Sequence, residues 1–197
     1  MTELTPRRAE IKRHTAETKI EASLLLDGDG TSEISTCLPF LDHMLAQTTR
    51  HGHLKLQLSA QGDLHIDAHH TVEDCGIVFG EALLQALGNK AGIARFGYAY
   101  APLDESLARV VVDFSGRSSL TYQVTLAQTV VGGMEADLLR EFFQALSNNA
   151  KLTLHVDLLR GINAHHQAES VFKAFGLALR MAVMRIGNEL PSTKGVL

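Results

Sequence analysis

Two phrases, DAHHTVEDCGIVFGEAL at 67–83 and NAHHQAESVFKAFGLAL at 163–179, each place adjacent histidines ahead of a glutamate three residues on. If these stretches are helical, positions i and i+3 share a face while neighbours diverge by about 100°. His70 and Glu73 are then expected to grip one ion while His69 turns toward another. His166 with Glu169, and His165, repeat the arrangement. Two such helices complete two sites reciprocally: His70, Glu73 and His165 on one ion, and His69, His166 and Glu169 on the other. Imidazole and carboxylate without thiolate suit Mn²⁺, Fe²⁺ or Zn²⁺ and not a closed structural zinc finger. No histidine follows either glutamate, which separates the phrase from zinc-protease motifs. A ferritin-like di-iron bundle would order its motif as Glu-x-x-His within an all-α fold.

The elements that must carry these residues repeat as well. His69 and His165 are 96 residues apart, as are Glu73 and Glu169, and LKLQL at 54 matches LTLHV at 152 with a shift of 98. Each half reads as strand, strand, helix, strand, helix. In the first, Ile20–Leu26 and Ser32–Cys37 flank LDGDGT and are expected to form a hairpin, because Asp-Gly pairs favour tight turns. Pro39 opens a helix in PFLDHMLAQTTRHG with Gly52 as its stop, and GNKAG ends the first motif helix. In the second, ARVVVDFSG and SSLTYQVTL are strands, MEADLLREFFQALSNN a helix, LTLHV a strand and AHHQAESVFKAFGLALRMAVMRI a long helix. The fold class is α+β, a duplicated half-domain (1–92 and 93–197) whose helices pack between sheet layers, since neither half can bury its sheet face alone. If the twin motif helices pack core-to-core along their apolar stripes, which include Val72, Val78 and Phe79 in one and Val171, Phe175 and Leu179 in the other, one chain can hardly satisfy both ions and a neighbouring chain is expected to complete the ligands. His43, central in FLDHML, is a further candidate ligand, and the register of the repeat sets Glu141 in the matching place 98 residues later.

Composition narrows the partners. With 18 basic and 22 acidic residues, a net charge of -4 and no basic tract, the footprint of a nucleic-acid binder is missing, so a small-molecule partner is expected. The start MTELTPRRAEIKRHTAETK has no apolar targeting core, and no apolar run approaches the ~20 residues of a membrane span; a cytoplasmic chain is expected. Cys37 and Cys75 are read as buried small hydrophobes in a reducing compartment, and His14, His51, His53, His65 and His155 as structural.

FLDHML, DAHHTVED, RFGYAYAPLDESL, DFSGRSSL, NAHHQAESVFKA and PSTKG, in this order across nearly the whole chain, resemble the imidazoleglycerol-phosphate dehydratase family of histidine biosynthesis. The resemblance implies a dimanganese lyase converting imidazole glycerol phosphate to imidazole acetol phosphate. It also implies a fold like the second domain of a small-subunit ribosomal protein, and a homo-oligomeric 24-subunit shell with metals at subunit contacts. By position, one metal takes His43, His70, Glu73 and His165, and the other His69, His166, Glu169 and the residue at 141. Many family members carry histidine there; Glu141 is a departure, although a carboxylate also binds Mn²⁺. Glu17, Glu73 and Glu169 are the implied catalytic carboxylates, with Glu17 placed against the substrate. Arg95, Arg117, Ser192, Thr193 and Lys194 are implied to hold the phosphate, a role for which Arg forks are suited. The implied chemistry uses the imidazole ring, metal-bound as imidazolate, as electron sink, through a diazafulvene.

Two other classes use part of the same signal. A metal-storage or metal-sensing module would need the histidines but not Arg95, Arg117 or Lys194. A metal-dependent hydrolase of a phosphorylated small molecule would need a further His or Asp to activate water.

Overall fold

The computed structural model describes residues 6–197; MTELT, the first part of the charged start weighed against a targeting segment, lies outside the described residues. RAEIKRH alternates inward and outward side chains as β1 (Arg8–His14) and turns back into β2 (Thr18–Leu25) as an antiparallel hairpin. β3 (Ser32–Ser35) follows, then α1 (Pro39–Gly52), β4 (Lys55–Gly62) and α2 (His69–Leu87). The second half gives β5 (Phe96–Leu103), β6 (Ser106–Asp113) and β7 (Ser119–Gln123). After a two-residue pair, β8 (Val130–Val131) and β9 (Met134–Glu135), come α3 (Leu138–Ala150), β10 (Thr153–Arg160) and α4 (Ala164–Val183).

The sheets run β1-β2-β4-β3 and β5-β6-β10-β7, one order written twice. Each half therefore holds one strand more than expected at its start. The expected hairpin across LDGDGT does not form: β3 pairs parallel to β4, which lies between β2 and β3. The turn chemistry itself is present, with Gly30 at φ 80° and the Asp29 carboxylate accepting from the Thr31 N–H and hydroxyl. It carries the chain across β4, and α1 provides the crossover that a parallel pair requires.

The four helices lie between the sheets. α2 covers β1, β2 and β4, and α4 covers β5, β6 and β10. The condition that the twin motif helices pack on each other along their apolar stripes is not met. Each packs instead on the other half's first helix, α1 against α4 and α2 against α3. Glycine makes the approach close: a Cβ on Gly176 would stand 2.6 Å from the Thr48 carbonyl oxygen and 3.1 Å from the Gly52 nitrogen. A Cβ on Gly80 would stand 2.7 Å from the Leu146 oxygen and 3.0 Å from the Ala150 nitrogen. Leu146 and Ala150 follow Thr48 and Gly52 by the same 98 residues that relate the strands, so the repeat extends to the helix seams. Between α3 and α4, the buried rings of Phe143 and Phe172 lie 5.0 Å apart and those of Phe143 and Phe175 5.3 Å.

Helix ends follow from local chemistry. Pro39 sits in the first turn of α1, and Asp42 accepts from the Thr36 N–H. The left-handed residue that ends α1 is His53, one beyond the expected Gly52. Gly88, Lys90 and Gly92, all at positive φ, end α2 within GNKAG as expected. Cys75 is buried, but Cys37 is exposed: it holds φ 63° in the loop before α1, outside the helical layer, and does not fit its expected role as a core residue. Among the described residues, no helix is long and apolar enough to cross a membrane.

Candidate active site

The α1–α4 seam sets three side chains at one point. His43 from α1 and His165 from α4 both direct Nε2 at the same oxygen of Glu169, at 2.9 and 3.0 Å. Their ligand atoms lie within 4.8 Å of one another. Glu169 is almost enclosed, while the two imidazoles remain about half exposed on the outer side. Lys173, one turn further along α4, holds the second carboxylate oxygen at 2.6 Å. Burial pushes the Glu169 carboxyl up, but Lys173, His43 and His165 outweigh it and bring it to about 2. The Asn163 side chain caps α4 by accepting from the His165 and His166 N–H groups, which fixes the direction in which both leave the helix. Beside His165, the loop bearing Gln128, Val131 and Gly132 forms the wall of a cavity, with the Phe40 ring edge-on to the imidazole at 5.6 Å.

The pairing within each helix is shifted by one residue from the expectation. His165 with Glu169 and His69 with Glu73, both i,i+4, share a face, the latter at 4.0 Å. Four residues overshoot a full turn by about 40°, whereas three fall short by about 60°, so the four-residue pair is better aligned. His70 and His166, about 100° further round, turn toward the strand loops. His70 Nδ1 meets Asp63 at 3.0 Å and Glu17 at 3.8 Å, and His166 Nδ1 meets Glu105 at 2.9 Å. Each imidazole is raised from its ordinary range, His70 chiefly by Asp63 and His166 chiefly by Glu105.

The chain thus brings His43 and His165 together, as expected for one ion, but adds Glu169, expected on the other. His70 and Glu73 lie elsewhere on α2. Glu141, on the α3 turn that corresponds to His43, is engaged by Arg140 at 3.0 Å. Asp63, Glu105 and Lys173 went unread in the sequence. Lys173 was legible as the next i+4 step after His165 and Glu169, but the two acids lie in loops that no spacing ties to the histidines.

The expected phosphate residues gather at the opposite end of α4. Arg95 donates through its backbone N–H to the Ala182 carbonyl. Its guanidinium is committed to Asp113, at 2.7 and 3.2 Å, and to the Pro191 carbonyl at 2.8 Å. It therefore ties down the C-terminal segment as well as lending charge. Ser192 donates to the Val196 carbonyl, Leu197 packs against Gly116, and Arg117 beside it is exposed, as are Thr193 and Lys194. From His165 to Ala182, α4 advances roughly 25 Å at 1.5 Å per residue.

Comparison with known proteins matches residues 36–179 to the model of the imidazoleglycerol-phosphate dehydratase family. The imidazoleglycerol-phosphate dehydratase of Bordetella avium is 59% identical over 97% of this chain and all of its own length. That of Pseudomonas fluorescens is 54% identical over 98% of this chain and all of its own. Among solved structures, the Staphylococcus aureus imidazoleglycerol-phosphate dehydratase superposes with a TM-score of 0.82 at 42% identity, covering 90% of this chain and 99% of its own. The IGPD of Pyrococcus furiosus superposes at 0.83 with 36% identity, covering 95% of this chain and all of its own.

Proposed function

This chain belongs to the imidazoleglycerol-phosphate dehydratase family, and on that premise we propose that it is a metal-dependent hydro-lyase that dehydrates imidazole glycerol phosphate to imidazole acetol phosphate in the cytoplasm, as a step of histidine biosynthesis. The observation that carries the metal reading is the convergence of His43, His165 and Glu169, three donors suited to Mn²⁺ with one side left open. His69 and Glu73, 4.0 Å apart on α2, and Glu141 on α3 hold the corresponding positions of the other half, but among the described residues they do not converge as the first three do.

Such ions, when bound, supply Lewis acidity toward the ring nitrogens of the substrate and orient it. The ring acts first as electron source: as its N–H proton is lost, its electrons expel the adjacent hydroxyl, which takes up a proton and leaves as water. The ring then takes the electrons back as the next carbon loses its proton, giving an enol that tautomerises to the ketone. Glu17, exposed beside His70, is the carboxylate placed to move protons on the chain carbons. Arg117, Lys194, Ser192 and Thr193 receive the phosphate, and Arg95 secures the segment that carries three of them.

A substrate of this size cannot reach from the His43 cluster to the C-terminal segment along α4 of one chain, a span of roughly 25 Å. The complete site therefore takes ligands from one copy and the phosphate grip from another, in a homo-oligomer for which the family resemblance gives 24 subunits. Ile66 and Ile162, equivalent residues three positions before each His-His pair, are 62% and 81% exposed beside the two half-sites and are the apolar contacts such an assembly would cover. The test is removal of metal by a chelator and its return. Activity on imidazole glycerol phosphate should vanish and reappear with Mn²⁺; full activity at confirmed zero metal would refute the reading. A storage or sensing module would bind the metal but turn over nothing.

A further inference from the structure

Asp74 is buried on α2, one turn beyond His70 and on the same face. A carboxylate withdrawn from water is costly unless paired and hydrogen-bonded. Asp74 is both: one oxygen accepts from Arg13 Nε at 2.9 Å, and the other accepts from the hydroxyl of buried Thr18. Both partners flank the β1–β2 turn. Inside it the Thr15 hydroxyl accepts from the N–H groups of Glu17 and Thr18, at 3.1 and 2.9 Å, so the turn is a small rigid unit held to α2 by Asp74. Glu17 stands on that unit.

The other half shows what the anchor spares. There the place of Asp74 is taken by Ser170, which turns back to the Gln167 carbonyl of its own helix. The turn carboxylate Glu105 does the holding itself, accepting from the N–H groups of Ile162 and Asn163, from His166 Nδ1 and from the Ser106 hydroxyl. In the first half Asp63 orients His70 and Asp74 holds the turn, which leaves the Glu17 side chain 55% exposed, with His70 as its neighbour at 3.8 Å. We propose that Asp74 is a positioning residue that fixes the β1–β2 turn against α2, so that Glu17 stands at the substrate with its oxygens uncommitted. This rests on the dehydratase reading of Glu17.

The test is a double-mutant cycle on the manganese-loaded assembly, with Asp74→Asn, Glu17→Gln and the pair, reading kcat, KM, bound manganese and melting temperature. Misplacement of a reacting group by about 1 Å can cost up to a hundredfold, so Asp74→Asn should lower kcat about tenfold to a hundredfold, with KM and bound manganese within about twofold. In the Glu17→Gln background the same change should lower kcat by less than about twofold, because the group it positions is already gone. Unchanged kcat in Asp74→Asn, or a loss of equal size in both backgrounds, overturns the proposal. Where Asp74→Asn fails to fold, Thr18→Val, which keeps the carboxylate and Arg13 and loosens only the turn, must show the same non-additive loss. Full activity in Glu17→Gln removes the role of Glu17 and this proposal with it, whereas the dehydratase reading stands or falls on the metal-restored activity of the unaltered chain.

Discussion

Replacing Gly176 by alanine tests the seam that builds the His43 cluster. Two effects oppose each other. Alanine is the better helix former by about 1 kcal/mol. Its Cβ, however, would stand 2.6 Å from the Thr48 carbonyl and 3.1 Å from the Gly52 nitrogen, and both neighbours are backbone. No rotamer change relieves that, so α1 must withdraw by several tenths of an ångström, an overpacking cost near the upper end of ~1–3 kcal/mol. The clash wins by about 2 kcal/mol, which for a chain of this size lowers the melting temperature by roughly 4–8 °C. His43 rides on α1 five residues before Thr48, so its 2.9 Å contact with Glu169 lengthens with the seam. Manganese affinity should fall tenfold or more, in the range found when the groups supporting a metal site are disturbed. Circular-dichroism melts of chelated protein and a manganese titration read the two effects separately. Gly187→Ala, whose Cβ meets nothing within 4 Å, is the control and should stay within about 0.5 kcal/mol. A Gly176→Ala protein that melts with the parent and binds manganese as tightly would refute the steric account of the seam.

Two further outcomes are expected. Ile66→Asp with Ile162→Asp should reduce particle mass in sedimentation while leaving the far-ultraviolet spectrum of the chain unchanged; an assembly of parental mass would remove these residues from the subunit contacts. Burial raises the Cys75 thiol above its ordinary 9.0 and the Tyr122 hydroxyl above 10.0, so unfolding lets both ionise and stability, intact below pH 9, should decline above it by up to about 1.4 kcal/mol per pH unit for each group. Chemical denaturation at pH 8.5, 9.5 and 10.5 checks this, and a flat stability would contradict it.

The helices were the most legible part of the fold, although α3 begins at Leu138 because Met134 and Glu135 pair as β9, and α4 ends at Val183, short of the expected Ile186. Pro39 and the GNKAG stop are local signals that were read, the Asn163 cap is one that was not, and the doubled phrase announced the repeat. The first strand of each half was missed for different reasons. RAEIKRH turns charge to solvent on alternate positions and lacks a continuous apolar run, while FGYAYAPL contains proline and leaves Phe96, Tyr98 and Tyr100 exposed. LDGDGT spoke truthfully of a turn, but nothing local could say that β4, a helix later, would insert beside β2. The site was legible by residue type and less so by grouping. Adjacent histidines satisfy three- and four-residue spacings at once, and which one governs was decided by Asp63 and Glu105, carboxylates that claim His70 and His166 from outside the helices.

The exchange of helices between the halves has a thermodynamic consequence. His43 and Glu169, 126 residues apart, meet only where α1 of one half lies on α4 of the other. An ion that binds there draws its free energy from a contact that neither half possesses alone, so mass action stabilises the docking of the halves and not either sheet in isolation. Loosening of β1–β2–β4–β3 frees α1 and costs the second half its ligand; loosening of the other sheet frees α3 and unseats α2. Metal occupancy should therefore report on the cohesion of the entire chain, and amides in both sheets should gain protection together when manganese is added.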